Sequence, residues 1–161
     1  MTKDVSMTDN PSYAMVLRQI IVVLGIVGII LGLLVIVGWY THRPGLIQVL
    51  PGYVPMQFNT AFALLLSGIG LILLSRNRKI LPSVLGGLVA VLGLLTIVEY
   101  LIDVNFGIDQ LLFNHYILDK TANPGRMAIM TAVSFLVIGS SLVMIANPFW
   151  QRGRTLQIGI A

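Results

Sequence analysis

The sequence predicts an all-α membrane protein: a four-helix transmembrane bundle made of two parallel helix-pair repeats, with short interfacial helices in the outer loops. Composition, four long apolar runs and an internal repetition predict it. Of 161 residues, 57% are hydrophobic and only 10% are charged, against about 25% charged in a typical soluble domain. Mean hydropathy is +0.92. A soluble domain of this length has too little interior to hide that apolar surface, so an ordinary cytoplasmic enzyme is excluded, and disorder with it. There is no cysteine, which excludes disulfides, thiolate catalysis and sulfur-ligated metals. The net charge of +4 rests on ten basic residues. Their position along the chain matters more than their sum, and nucleic acid is not an expected partner.

Residues 1–15 read as a cytoplasmic tail, and the first apolar run follows from Val16 to Tyr40. It is too long for a signal-peptide core, and no small-residue cleavage site follows it. The first outer loop, His42 to Pro55, holds a short apolar stretch closed by Pro51-Gly52. The second run is Phe58 to Leu74 and the third Ile80 to Ile102. The second outer loop, Asp103 to Arg126, places Ile108, Leu111, Leu112 and His115 at helical spacing, which predicts a short amphipathic helix at the interface. Asn123-Pro124-Gly125 then turns into the fourth run, Met127 to Ala146. The runs are about 17 to 25 residues long, enough to cross a hydrocarbon core of about 30 Å as helices. A lipid-exposed segment must satisfy its backbone internally, and the alternating ten-residue segments of a barrel are absent. Asn147-Pro148-Phe149 stops the last helix because proline cannot continue it.

Lys3, Arg18, Arg76, Arg78, Lys79, Arg152 and Arg154 alternate along the chain with Arg43, Lys120 and Arg126. This bias puts both termini and the Arg76–Lys79 loop of a multi-pass protein in the cytoplasm. The acidic residues Glu99, Asp103, Asp109 and Asp119 then lie on the outer side. Trp39, Tyr40, Tyr53 and Tyr100 read as interfacial anchors there, and Trp150 as one on the inner side.

The chain repeats itself. Met56, Thr60, Ala61 and Gly68 match Met127, Thr131, Ala132 and Gly139 at a constant offset of 71. Upstream, Gly45 to Gln48 matches Gly107 to Gln110 at an offset of 62, so the second outer loop carries extra residues. The membrane domain spans 16–150, with repeats at about 16–75 and 80–147. Each unit starts and ends inside, which makes the repeats parallel. Gln151 to Leu156 has the character of Arg76 to Leu81, and an apolar Ile158 to Ala161 follows. The chain is therefore expected to be a fragment, with 151–161 the cytoplasmic exit or the start of a further segment.

A set of polar residues at fixed spacing accompanies this pattern: Val54-Pro55-Met56 with Asn59-Thr60-Ala61, then Glu99-Tyr100-Leu101, then Gly107-Ile108-Asp109 with Leu111-Leu112-Phe113, then Pro124-Gly125-Arg126-Met127 with Thr131-Ala132. Over residues 16 to 147 the chain resembles the N-terminal membrane-embedded sensor regions of bacterial signalling proteins. Those regions precede PAS domains, histidine kinases of two-component systems, diguanylate cyclases and cyclic-di-GMP phosphodiesterases. Met130 departs from the pattern, which more often has Asn there. The resemblance implies a sensory input module of the bacterial inner membrane, relaying the state of a lipophilic ligand to a cytoplasmic output domain, usually as a homodimer. Some such regions detect quinones.

Polar residues in apolar segments are costly and invite a functional reading. Gln57, Asn59, Thr60, Glu99, Arg126 and Thr131 lie near the outer helix ends, and Asp109, Gln110 and His115 lie in the outer loop. With Met127 they form the candidate ligand site. A quinone head needs a donor for each carbonyl and flat apolar walls, here Phe58, Phe62, Phe113 and Tyr116. The structural reading stands beside it. Asn59 and Thr60 also suit caps or interhelical bonds, and Arg126 an ion pair with Glu99 or Asp109 that fixes the outer loop. His42 and His115 lie in loops, which disfavours bis-histidine haem, and metal binding with Asp109 or Asp119 is similarly weak. Gly28 with Gly32, Ala63 with Ser67, Gly86, Gly87 and Gly93, and Gly139 with Ser140 and Ser141 give small faces for bundle packing or for a dimer. No nucleophile–base pair, phosphate loop or carboxylate dyad is visible, so no enzyme is expected in this chain. A ligand-free anchor and dimerisation module is the alternative. A small transporter is disfavoured because no ionisable residue sits at mid-membrane.

Overall fold

The structure, a computed structural model, describes residues 11–48, 54–116 and 123–147. The readings made above on Lys3, Pro51-Gly52, Tyr53, Asp119, Lys120 and 148–161 lie outside the described residues. Five α-helices follow in order: α1 (Pro11–Tyr40), α2 (Pro44–Ile47), α3 (Phe58–Ser75), α4 (Ile80–Ile102) and α5 (Ile129–Ala146). Among the described residues a 3-10 turn, Ile108–Gln110, lies between α4 and α5. The segments Ala14–Tyr40, α3, α4 and α5 are each long and apolar enough to cross a membrane. The fold is thus an all-α, four-helix transmembrane bundle, and the protein is a multi-pass membrane protein.

Each helix stops where the chain leaves the right-handed region. His42, Asn77 and Asp103 take φ of 54°, 56° and 50° just beyond α1, α3 and α4. The left-handed region is one that Asn, Asp and His tolerate better than most residues. Pro82 sits in the first turn of α4, where a missing N–H costs nothing. Several hydroxyls inside the spans are satisfied within their own helices. Ser67 donates to the Ala63 carbonyl at 2.7 Å, Thr96 to Leu92 at 3.0 Å and Ser141 to Val137 at 2.7 Å. In hydrocarbon such a bond to the preceding turn hides the hydroxyl without another helix.

Two tight helix pairs carry the bundle, α1 with α3 and α4 with α5, and α3 joins them by packing mainly on α4. Glycine permits both close approaches. A methyl group on Gly25 would stand 2.9 Å from the Gly68 carbonyl, and one on Gly32 2.7 Å from that of Ala61. In the second pair a methyl on Gly86 would stand 2.7 Å from the Gly139 carbonyl, and one on Gly93 2.5 Å from that of Ala132. Without a hydrophobic force between helices in lipid, such backbone-to-backbone packing is a principal source of association. Gly28 packs on α3 as well, whereas Gly87 has no atom within 4 Å of an added methyl. The Gly28–Gly32 face is therefore spent inside the bundle.

Away from these seams the helices present apolar side chains outward, from Met15 to Val37 on α1 and from Ile129 to Ile145 on α5. That is the surface a lipid bilayer covers. The described parts of the two long loops, 41–48 with 54–57 and 103–116 with 123–128, lie at the same end of the bundle. The short turn Arg76–Lys79 lies at the other.

Candidate functional site

Trp39 and Tyr100 end the first helix of each pair, and both donate to a methionine carbonyl. Trp39 Nε1 reaches the Met56 carbonyl at 2.9 Å, and Tyr100 OH reaches that of Met127 at 3.1 Å. Each bond ties the loop-side end of one helix to the stretch of chain entering its partner. Trp39 is 1% exposed, so it is a core residue and not the interfacial anchor expected from sequence. Tyr40 and Tyr100 remain exposed, as anchors would be.

Behind Tyr100 lies a buried ionic cluster. Arg126 Nε donates to Asp109 Oδ2 at 2.8 Å and lies 3.5 Å from Glu99 Oε2. Its Nη2 donates to the Val104 carbonyl at 3.3 Å, and its Cζ lies 5.4 Å from the centre of the Tyr100 ring. Glu99 Oε1 accepts the Phe106 N–H at 2.7 Å. Glu99, Asp109 and Arg126 are 0%, 3% and 7% exposed. Burial works against the Arg126 charge, but the Asp109 hydrogen bond and the two carboxylates outweigh it and hold the guanidinium above its ordinary pKa. The cluster thus ties α4, the loop and the entry to α5 together. The pairing expected for Arg126, with Glu99 or Asp109, is made with both.

Gly125 makes this geometry possible for two reasons. Its φ is +84°, and a methyl there would stand 2.6 Å from the Asp109 carbonyl. On the other side of the loop, Asn59 Nδ2 donates to the carbonyls of Ile108 at 2.9 Å and Asp109 at 3.3 Å. Asn59 is therefore a tether between α3 and the second loop, not a helix cap. The cap position of α3 is Gln57, which makes no side-chain capping bond. The amphipathic helix expected over Ile108 to His115 is reduced to one 3-10 turn, followed by bends. The Ile108 carbonyl accepts both Asn59 Nδ2 and the Leu111 N–H that closes this turn.

Released from helical geometry, Phe113, His115 and Tyr116 fold onto the end of α1. Trp39 meets Phe113, His115 and Tyr116 at centroid distances of 5.6, 5.2 and 5.1 Å. Phe58 stacks on Phe113 at 5.3 Å with a 12° tilt, and Tyr40 meets Phe113 edge-on at 5.2 Å. His42 lies over Tyr116 at 4.3 Å. Edge and stacked contacts of this kind add about 0.5–1.5 kcal/mol each beyond burial. A cleft of about 450 Å³ opens beside the cluster, lined by Tyr40, His42, Gln110, Leu111, Leu112, Phe113, Asn114 and Tyr116. The Tyr116 hydroxyl is buried without a hydrogen-bond partner among the described residues. Burial lifts its pKa above the ordinary phenol value, so it stays a proton donor.

The ten candidate residues thus separate into groups. Gln110 lines the cleft and His115 stands behind it on Trp39. Glu99, Asp109 and Arg126 bind one another, Asn59 holds the loop, and Met127 is buried with its carbonyl taken by Tyr100. Gln57 is buried, and Thr60 and Thr131 are half-buried. The cleft is walled by the end of α1 and the second loop, with no residue of α5 in its lining. Sequence reasoning gave Tyr40 an anchoring role only, did not single out Asn114, and left His42 outside the candidate set. Among the described residues no group of three or more His, Asp and Glu side chains is placed to hold a metal ion. Comparison with family models, with curated proteins and with solved structures gave no match.

Proposed function

We propose that this chain is a membrane-embedded sensory input module that binds a lipophilic, flat ligand of the quinone class in the cleft beside Trp39. The observation that carries the proposal is the cleft itself. It combines aromatic walls, Tyr40 and Phe113, with donors, Tyr116, Gln110, Asn114 and His42, in one recess beside the apolar belt. Its size falls within the range of small-molecule sites. A quinone head offers two carbonyl acceptors and a flat ring, and its tail runs along the lipid-facing surface.

In this reading the ligand acts by population shift. The loop that lines the cleft is fastened to α3 through Asn59 and to α4 and the start of α5 through Arg126. A ligand that favours one loop position biases the packing of both helix pairs, and the helix ends at the Arg76–Lys79 side move with them. The chain itself performs no catalysis. Its output belongs to a cytoplasmic domain of a longer signalling protein, acting as a homodimer through faces other than Gly28–Gly32. Two equivalent helix pairs, built as internal repeats, form part of the proposal. The support is that Gly25–Gly68 and Trp39–Met56 correspond to Gly86–Gly139 and Tyr100–Met127 at the same offsets.

The binding test uses the purified chain and a short-tailed ubiquinone, read by quenching of tryptophan fluorescence. Saturable binding is expected, and Tyr116→Phe should weaken it about five- to tenfold, the loss of one neutral hydrogen bond of about 1 kcal/mol. If the parent does not bind, or if Tyr116→Phe and Gln110→Ala both bind as the parent does, the ligand-free anchor is the better account.

Orientation follows from the basic residues of the Arg76–Lys79 turn, with Arg126 removed from the opposing count by its ion pairs. A reporter enzyme fused after Lys79 should be active only in the cytoplasm of a bacterial host, and one fused after Asp119 only outside it. The reverse pattern would refute this orientation in the inner membrane.

A further inference from the structure

We propose that the Glu99–Arg126–Asp109 cluster is a proton-binding site, holding one exchangeable proton on Glu99. The argument rests on charge and geometry and is independent of the ligand reading above. Two carboxyl groups face one guanidinium, and all three side chains are more than nine-tenths buried. With both carboxyls ionised the cluster carries one uncompensated negative charge away from water, which is strongly unfavourable. The charged and titratable groups facing it are few. Tyr100 comes from α4 and Arg126 from the entry to α5. Asp109 comes from the loop, and α3 contributes only the uncharged Asn59, on the loop carbonyls. Among the described residues none supplies a second cation.

The hydrogen bonds decide which carboxyl takes the proton. Asp109 Oδ2 receives the short charge-assisted bond from Arg126 Nε at 2.8 Å. Glu99 Oε2 has only a 3.5 Å approach to the same nitrogen and accepts no hydrogen bond among the described residues. Its other oxygen is held by the Phe106 N–H. A proton on Glu99 Oε2 neutralises the excess charge and leaves the Arg126–Asp109 pair intact. Asp109 Oδ1 is also buried and unpartnered, so an acceptor stands in the same cluster. The proton comes from water and returns to it, with no other change in bonding.

The consequence is a loop whose fastening depends on pH. When the proton leaves, Glu99 and Asp109 repel across a single guanidinium, and the grip on residues 104–109 weakens. In the folded state the cluster keeps a proton that the unfolded chain has already released at neutral pH. Stability from this site is therefore present at low pH and lost as pH rises.

Glu99 is the only glutamate in the sequence, so the spectroscopic assignment needs no mutation. Infrared spectra of the whole chain in lipid nanodiscs are recorded across a pH series, unlabelled, with carboxyl-13C glutamate, and with carboxyl-13C aspartate. A protonated-carboxyl carbonyl band should be present at neutral pH, shift with the glutamate label but not the aspartate label, and disappear on alkalisation. Thermal unfolding should shift downward over the same pH interval, and Glu99→Gln should remove that shift. The proposal is overturned if no such band exists at neutral pH, or if the band moves only with the aspartate label. It is also overturned if replacing choline by sodium or potassium at fixed pH raises the unfolding temperature, since the charge would then be met by a metal cation.

Discussion

Gly139→Val is expected to abolish the α4–α5 pair. A methyl at this position would stand 2.5 Å from both the Ala90 nitrogen and the Gly86 carbonyl oxygen, and these are backbone atoms with no rotamer to change. The helices must separate, and every backbone contact along Gly86, Gly93 and Ala132 is lost with them. The cost is at the upper end of overpacking effects, about 3 kcal/mol or more. Gly87→Ala is the control. It lies one residue from Gly86 on the same helix, with nothing within 4 Å of the added methyl. A stability gain of a few tenths of a kcal/mol up to about 1 kcal/mol is expected there, from helix propensity. Both are measured by loss of helical circular dichroism on titrating folded protein in mild detergent with dodecyl sulfate. Equal midpoints for the two variants would show that the glycine seam does not hold the pair.

Arg126→Met should cost about 3–5 kcal/mol, the range for removing one partner of a buried ion pair. Methionine fills much of the space, so the loss is chiefly electrostatic. Asp109 is left buried without its 2.8 Å donor, and the bond to the Val104 carbonyl and the Tyr100 face contact go as well. Arg126→Lys should recover only part of this, because one ammonium cannot span Asp109, Glu99 and Val104 as the planar fork does. Combining Arg126→Met with Asp109→Asn should be less damaging than the sum of the single changes. Additive losses in that cycle would mean that the two side chains do not act as a unit.

The spans were legible in the sequence because lipid leaves so few options for a backbone. Ile80 to Ile102 was read to the residue, and α3 to within one. The start of α5 was placed two residues early, since Met127 is apolar but is bound into the loop cluster before the helix begins. Arg126 was readable as an ion-pair former because a buried cation needs a partner. Asn59 was not readable as a loop tether. Its partners are main-chain carbonyls about fifty positions away, and no side-chain chemistry advertises them. The spacing of Ile108, Leu111, Leu112 and His115 is truly helical, yet His115 packs on Trp39 while Leu111 and Leu112 stay exposed, so the four do not share one buried helix face. A sequence signal for the pairing at the loop end did exist. Gly25, Gly32 and Trp39 stand at one common offset, 61, from Gly86, Gly93 and Tyr100. Reading the glycines and aromatics together, and not as separate packing faces, would have exposed it.

Within each helix pair the contact is backbone on backbone. Between the pairs it is softer: Gly70 meets the flexible end of Leu142, with Leu85 beside it. Two stiff leaves joined by a compliant edge behave mechanically as a book. The Arg76–Lys79 turn, which joins α3 to α4, is the spine at one margin. At the opposite margin Asn59 on one leaf and Arg126 on the other hold the same short stretch of loop. That stretch is the clasp. The clasp and the spine are separated by the full height of the shorter spans, about 27 Å at 1.5 Å per residue over the 18 residues of α3. Force applied at the clasp therefore works on the spine through that whole height.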